Sequence, residues 1–447
     1  MRTPPIKEER NERKSQQVVV SILVAPCNRL HSNRSYFSRV REGHTGSEHP
    51  WISHGADHRK GLRPRGSVSS RMTGQNPLHH GILRPPMYGE AGGLDGELTV
   101  AKLLKDHGYV TQGVGKWHMG ENQGSLPQNV GFDDYVGFLG VSDMYTEWRD
   151  EYFNPEIALS PARFEMMEKD HFDHNEVHCT SADKTNCQDG KLIDLEYTKH
   201  LDAHWLSVSL SFMDKMKGSK QPFFLYHATR GCHFDNYPSD EWAGKSEART
   251  VYSDCIVEMD YVLDQLVKKL EETGELENTM ILLTSDNGAE CEIPPHARSP
   301  WRGCKGSSWE GGVRVPTFVY WKGMINPRRD DGLFDFADIL PTALSLAGFP
   351  GAKLADFYPK TTYIDGVDQA SWFVANDGHS ARRSRPYTVG TAIKICRVFR
   401  RGGVFFGRWF WGCAQQLKAK RQKSGASAIG QEAEVTDTHE ALRKDVE

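Results

Sequence analysis

Four short polar clusters hold side chains able to act on an anion. Ser285-Asp286-Asn287-Gly288 sets a carboxylate beside an amide oxygen. Both are hard oxygen ligands of the kind Ca²⁺ or Mg²⁺ takes, although Asp-Asn-Gly is equally an excellent turn. Gly115-Lys116-Trp117-His118-Met119-Gly120 puts an ammonium and an imidazole close together between glycines. Such a pair can grip an anion and shuttle a proton, or can make a solvated loop. His227 and His233 flank Thr229-Arg230-Gly231-Cys232, where a histidine serves either as a structural donor or as a catalyst. Lys305 lies in a glycine-dense loop, Cys304-Lys305-Gly306-Ser307-Ser308-Trp309-Glu310-Gly311-Gly312-Val313-Arg314-Val315-Pro316. Glycines there let backbone approach a ligand, and the lysine adds charge. All four clusters suit a metal-bound oxyanion, so together they point to an anion-processing hydrolase.

The clusters follow apolar runs that read as strands. Thr279-Met280-Ile281-Leu282-Leu283-Thr284 has the continuous hydrophobicity of a parallel strand covered on both faces. Phe223-Phe224-Leu225-Tyr226 and residues 109–114 and 317–321 read likewise. Between them, Leu98, Ala101 and Leu104 share one helical face before a stop at Gly108. Ile256, Met259, Leu263, Leu266 and Leu270 line a longer helix ending at Gly274, and a third helix spans about 334–347. Helix, loop and buried strand in alternation predict a doubly wound α/β fold with a mostly parallel sheet. Such folds gather ligands at the carboxyl ends of their strands.

Texture divides the chain into an atypical stretch over 1–70, an α/β domain over 71–348, and a residual C-terminal subdomain with a basic tail over 349–447. The 447 residues carry 55 Lys+Arg against 59 Asp+Glu, a formal charge of −4, so no global charge draws nucleic acid or an anionic membrane. The tail alternates Arg397, Arg400, Arg401 and Arg408 with aromatics, and is read as a tail without a nucleic-acid role. Residues 18–25 are too short to span a bilayer and follow Glu8, Glu9 and Glu12, so they read as a strand rather than a secretory signal. No membrane span is expected. Nine scattered Cys make no disulfide framework, though Cys179 and Cys187 could close a small polar loop.

With Met72-Thr73-Gly74-Gln75 and Gly131-Phe132-Asp133-Asp134-Tyr135, the clusters around Lys116, Asp286 and Lys305 resemble the sulfatase family of the alkaline phosphatase-like superfamily, in its arylsulfatase-like branch. The likeness runs over 71–366. It implies a Ca²⁺ at the strand ends, a smaller C-terminal β subdomain, here truncated or altered, and a small-molecule or carbohydrate sulfate ester as substrate. By position, Asp286 and Asn287 resemble the late metal ligands. Lys116 and Lys305 resemble the lysines that hold sulfate oxygens. His118 matches the histidine assisting the nucleophile, and His233 the one facing the leaving group, with His227 a competitor for that role.

Two departures stand out. The family attacks sulfur with a formylglycine made in a C/S-x-P/A-x-R segment, yet the matching window, Pro64-Arg65-Gly66-Ser67-Val68, has no Cys. Ser67 and Arg71 have the nucleophile-to-arginine spacing but sit three residues too near Thr73-Gly74. Ala25 and Pro26 stand where paired aspartates are wanted after the first strand. Altered reading-frame ends would explain both. The expectation is therefore an impaired sulfuric ester hydrolase, with a catalytically inactive, anion-binding relative as the alternative. A phosphoesterase of the superfamily ranks below both, because a second Asp/His ligand set is missing.

Overall fold

The computed structural model describes residues 17–22, 51–54, 68–82, 91–140, 175–291 apart from 232 and 234, 299–349 apart from 308, 358, 362–375, 379–389, 392–400 and 403–405. The strands are β1 (Gln17–Ile22), β2 (Trp51–His54), β3 (Val110–Lys116), β4 (Asp134–Phe138), β5 (Asn175–Thr180) and β6 (Gln188–Leu192). They continue with β7 (Phe223–Ala228), β8 (Thr279–Thr284), β9 (Thr317–Tyr320), β10 (Ser384–Val389), β11 (Ala392–Arg400) and β12 (Gly403–Phe405).

Among the described residues β1 to β9 share one sheet in the order β2-β9-β8-β1-β7-β3-β4-β5-β6. Its centre, β8-β1-β7-β3-β4, is parallel throughout, and antiparallel strands close both edges. The expected α/β fold with a mostly parallel sheet is the fold observed. β1 joins β7 and β8 with Ile22 level with Ala228 and Thr284, so the apolar run near the start is a central strand.

Both faces of the sheet are covered, which is why its central strands are apolar without alternation. Phe224, Tyr226, Met280 and Leu282 pack with helices α1 (Val68–Thr73), α2 (Val100–Asp106) and, later in the chain, Ile339–Leu346. Phe223, Leu225, Ile281 and Leu283 point the other way, onto α3 (Leu201–Met216) and α4 (Val251–Thr273). Leu263, Leu266 and Leu270 of α4 are buried there, each stabilising by about 1.5–3 kcal/mol. Thr250 caps α4 by accepting from Ser253 N, and Gly274 ends it in the left-handed conformation at φ 78°.

Three expectations differ in detail. The helix read over 334–347 opens instead as a 3₁₀ turn, Phe336–Asp338, because an Asp335–Asp338 capping box starts it; the α-helix proper, α6, is Ile339–Leu346, and α5 (Glu310–Val313) precedes it. The cysteines do form bridges. Cys179–Cys187 joins β5 to the loop before β6, as its spacing allowed, and Cys291–Cys304 joins two loops beyond β8. Among the described residues Cys255 is buried and free. Where the basic, aromatic segment was read as tail, β10, β11 and β12 form an antiparallel sheet, while the Lys-rich run 418–423 lies outside the described residues. No helix among the described residues is long and apolar enough to cross a membrane.

Candidate active site

Lys116 ends β3, and the next two residues extend its pairing with the chain beyond β4: Trp117 N donates to Phe138 O at 3.0 Å and His118 N to Leu139 O at 2.9 Å. Trp117 anchors this turn. Its indole is fully buried edge-on to Phe132 and Tyr135, with Nε1 donating to Ser125 O. Gly115 is required just before it, since at φ 95° a Cβ would lie 1.8 Å from Ala228 O of β7. His118 holds φ 51°, a left-handed conformation uncommon outside glycine. Lys116 is buried and its ammonium stands 4.0 Å from Asp286 Oδ2.

Asp286 follows β8 directly, and the loop beyond it is stitched to the loop of Lys305. Gly288 N donates to Gly312 O at 3.0 Å, Lys305 N donates to Ala289 O at 2.7 Å, and Cys291 is bridged to Cys304. Gly288 permits the approach, because a Cβ there would meet Gly311 O at 1.9 Å. Lys305 thereby reaches the loop after β7, where Nζ lies 3.0 Å from His233 Nε2. His233 Nδ1 lies 2.5 Å from Asp235 Oδ1. Thus Lys116 meets Asp286, and Lys305 meets His233. His118 belongs to the same field, since after burial the charges lowering its pKa are those of Lys116, His233 and Lys305.

The competing histidine is elsewhere. His227 lies inside β7, fully buried, with Nδ1 2.8 Å from Ser209 Oγ of α3, and burial pushes it down to about 4. It is a neutral residue of the core. His233 is also lowered, first by burial and then by the Lys305 ammonium, with Asp235 opposing both.

Asp235 was not singled out by sequence, and Arg71 only as the arginine spaced from Ser67. A His-x-Asp spacing in a post-strand loop was the available signal for Asp235. Arg71 of α1 is fully buried, its guanidinium 4.6 Å from the centre of the Phe336 ring, and none of its three side-chain nitrogens has a hydrogen-bond partner. Burial lowers its pKa, while Tyr226 and Asp286 act to raise it. Ser67 lies outside the described residues.

The calcium implied by the resemblance needs six to eight oxygens. Asp286 Oδ1 is buried without a hydrogen-bond partner, as a cation ligand would be in an empty shell. The rest of the set falls short. Asn287 keeps Oδ1 available while Nδ2 donates to Gly288 O, but Leu23-Val24-Ala25-Pro26, next in sequence after β1, has no side-chain oxygen. Among the described residues no three His, Cys, Asp or Glu side chains come together as a metal site. The Lys116 ammonium stands 4.0 Å from Asp286 Oδ2, and the described residues do not complete a calcium shell.

A two-faced, mostly parallel sheet with lysines, imidazoles and a carboxylate at its strand ends is consistent with an alkaline phosphatase-like fold. The sulfatase family profile matches residues 66–349, and the chain belongs to the sulfatase family. It is 32% identical over 300 residues to an arylsulfatase of Hemicentrotus pulcherrimus, covering 63% of this chain and 49% of that one. It is 27% identical over 315 residues to the N-acetylgalactosamine-6-sulfatase of Canis lupus familiaris, covering 68% and 55%. The chain therefore spans about half the length of these curated relatives. The crystal structure of the PsFucS1 sulfatase from Pseudoalteromonas sp. superposes with a TM-score of 0.76 at 27% identity, covering 93% of this chain and 92% of that one.

Proposed function

We propose that this chain carries the sulfate-ester site of an arylsulfatase-type hydrolase, with anion binding retained and turnover impaired. The observation that carries the reading is the meeting of residues remote in sequence: Lys305 with His233 at 3.0 Å, beside Lys116 and Asp286 at 4.0 Å. Two ammonium groups and two imidazoles around one space suit a tetrahedral oxyanion. In this reading Lys116 and Lys305 hold sulfate oxygens, His118 accepts the proton of the attacking group, and His233 Nε2 takes a proton from the adjacent Lys305 ammonium and passes it to the departing alcohol oxygen.

Impairment follows from the missing nucleophile, since residues 64–68 offer no Cys for formylglycine. No step is assigned to a metal. A carbohydrate sulfate is a substrate class consistent with the name of the canine relative.

The test is turnover of 4-nitrophenyl sulfate and 4-nitrophenyl phosphate, with Ca²⁺ and with EDTA, alongside calorimetric binding of sulfate. We expect sulfate binding, slow sulfatase activity exceeding phosphatase activity, and a loss of about tenfold or more on Lys305→Ala or Lys116→Ala. Sulfate binding without turnover would favour the inactive, anion-binding relative, which the absence of Cys from 64–68 supports. Binding unaffected by both lysine substitutions would refute the site itself.

A further inference from the structure

We propose that Asp235 is the positioning residue of His233: it holds the imidazole proton on Nδ1, so that the Nε2 lone pair faces Lys305 and the pocket. The inference rests on the reading of His233 as the group facing the departing oxygen, and adds a residue to it.

The chemistry of the two partners assigns the tautomer. An ammonium only donates, so Nε2, 3.0 Å from Lys305 Nζ, accepts. An ionised carboxylate only accepts, so Nδ1, 2.5 Å from Asp235 Oδ1, donates. The imidazole is neutral, with its proton on the side away from the lysine. Both lysines of the site, Lys305 and Lys116, disfavour a second proton on His233, and the Asp235 carboxylate is the group opposing them. Removing that carboxylate leaves His233 both free to take the other tautomer and less able to carry a proton.

Asp235 is itself held rigidly. It is fully buried, and Arg230 NH1 donates to its backbone oxygen at 2.6 Å and lies 3.5 Å from Oδ2. The Arg230 turn is clamped in its own right, because Asp202 of α3 accepts from Arg230 N at 2.8 Å and from Gly231 N at 2.9 Å. A short path of buried charge thus runs from α3 through Arg230 and Asp235 to an imidazole at the pocket. Rigid support of this kind makes proton transfer geometry reproducible.

A purely structural Asp235 would affect stability and would weaken turnover of all substrates alike. A positioning role moves two other readouts. ¹⁵N NMR of the full chain, with the His233 resonance assigned through His233→Gln, should show an Nδ1–H imidazole, and Asp235→Asn should abolish that single tautomer. Across aryl sulfates of rising phenol pKa, Asp235→Asn should cost about tenfold in kcat/KM for the nitrophenyl ester and about a hundredfold or more for the unsubstituted phenyl ester. Asp235→Glu should recover part of the loss. An Nε2–H imidazole in the unsubstituted protein overturns the proposal even if every Asp235 variant fails to fold. An unchanged tautomer in Asp235→Asn, or a rate loss equal for all leaving groups, also overturns it. Absence of any turnover refutes the hydrolase reading, and the NMR result then decides the role of Asp235 alone.

Discussion

His227 and His233 lie on either side of the end of β7, and that strand end separates their chemistry. Inside the strand, period-two alternation turns His227 onto α3, where Ser209 is its partner. Beyond the strand the chain is free to turn, and His233 meets Lys305 and Asp235. Burial acts on carboxylates too. Glu258 of α4 is buried near Asp202, and desolvation first, then that neighbouring charge, push it up to about 7 from 4.5. The folded protein holds this proton more tightly than the unfolded chain. The resulting stability is complete below pH about 4.5 and is lost as pH rises through about 7. Glu258→Gln should therefore match the parent protein near pH 4 and exceed it by on the order of 2 kcal/mol at pH 8, read by chemical denaturation. Equal stability of the two proteins at pH 8 would refute a raised carboxyl.

At the scale of elements, the site depends on the two ends of the β8–β9 connection, beyond the last strand pair Thr284–Thr317. Gly288 N to Gly312 O, Lys305 N to Ala289 O and the Cys291–Cys304 bridge join them. Gly288→Ala inserts a methyl group 1.9 Å from Gly311 O, a backbone atom that cannot swing aside. We expect it to cost about 2–3 kcal/mol and to weaken sulfate binding by separating Lys305 from His233. Calorimetry on the folded variant checks this; full affinity would mean that the stitch does not position Lys305. The indole of Trp117 does for the Lys116 turn what the bridge does for Lys305, through packing rather than a covalent bond.

For the molecule as a whole, a net charge of −4 is no guide to an anion site, because Lys116, Lys305 and Arg71 act locally. The two disulfides suit an oxidising environment. Arg382, beyond the stretch that resembles the family, is fastened to the core: Nε and NH2 bind both oxygens of fully buried Asp338, and Gln369 Nε2 donates to the same carboxylate. Arg382→Gln leaves Asp338 buried without its cation, which should cost about 3–5 kcal/mol and lower Tm by several degrees. A variant melting with the parent protein would show that this joint contributes nothing.

Local pattern was enough to reveal the strands, the helices on either side of them and the clusters around Lys116, Asp286 and Lys305, because periodicity, caps and short motifs are properties of neighbouring residues. The same pattern exposed the absence of Cys from 64–68 and of carboxylates after β1. Contacts between distant segments were a different matter. Which histidine reaches Lys305 and that Arg71 lies buried near Asp286 depend on the strand order β8-β1-β7-β3, whereas the Asp235 contact and the two bridges join near neighbours through the turns between them. That order is set by burial over the whole sheet, so only the folded chain decides which strand ends become neighbours.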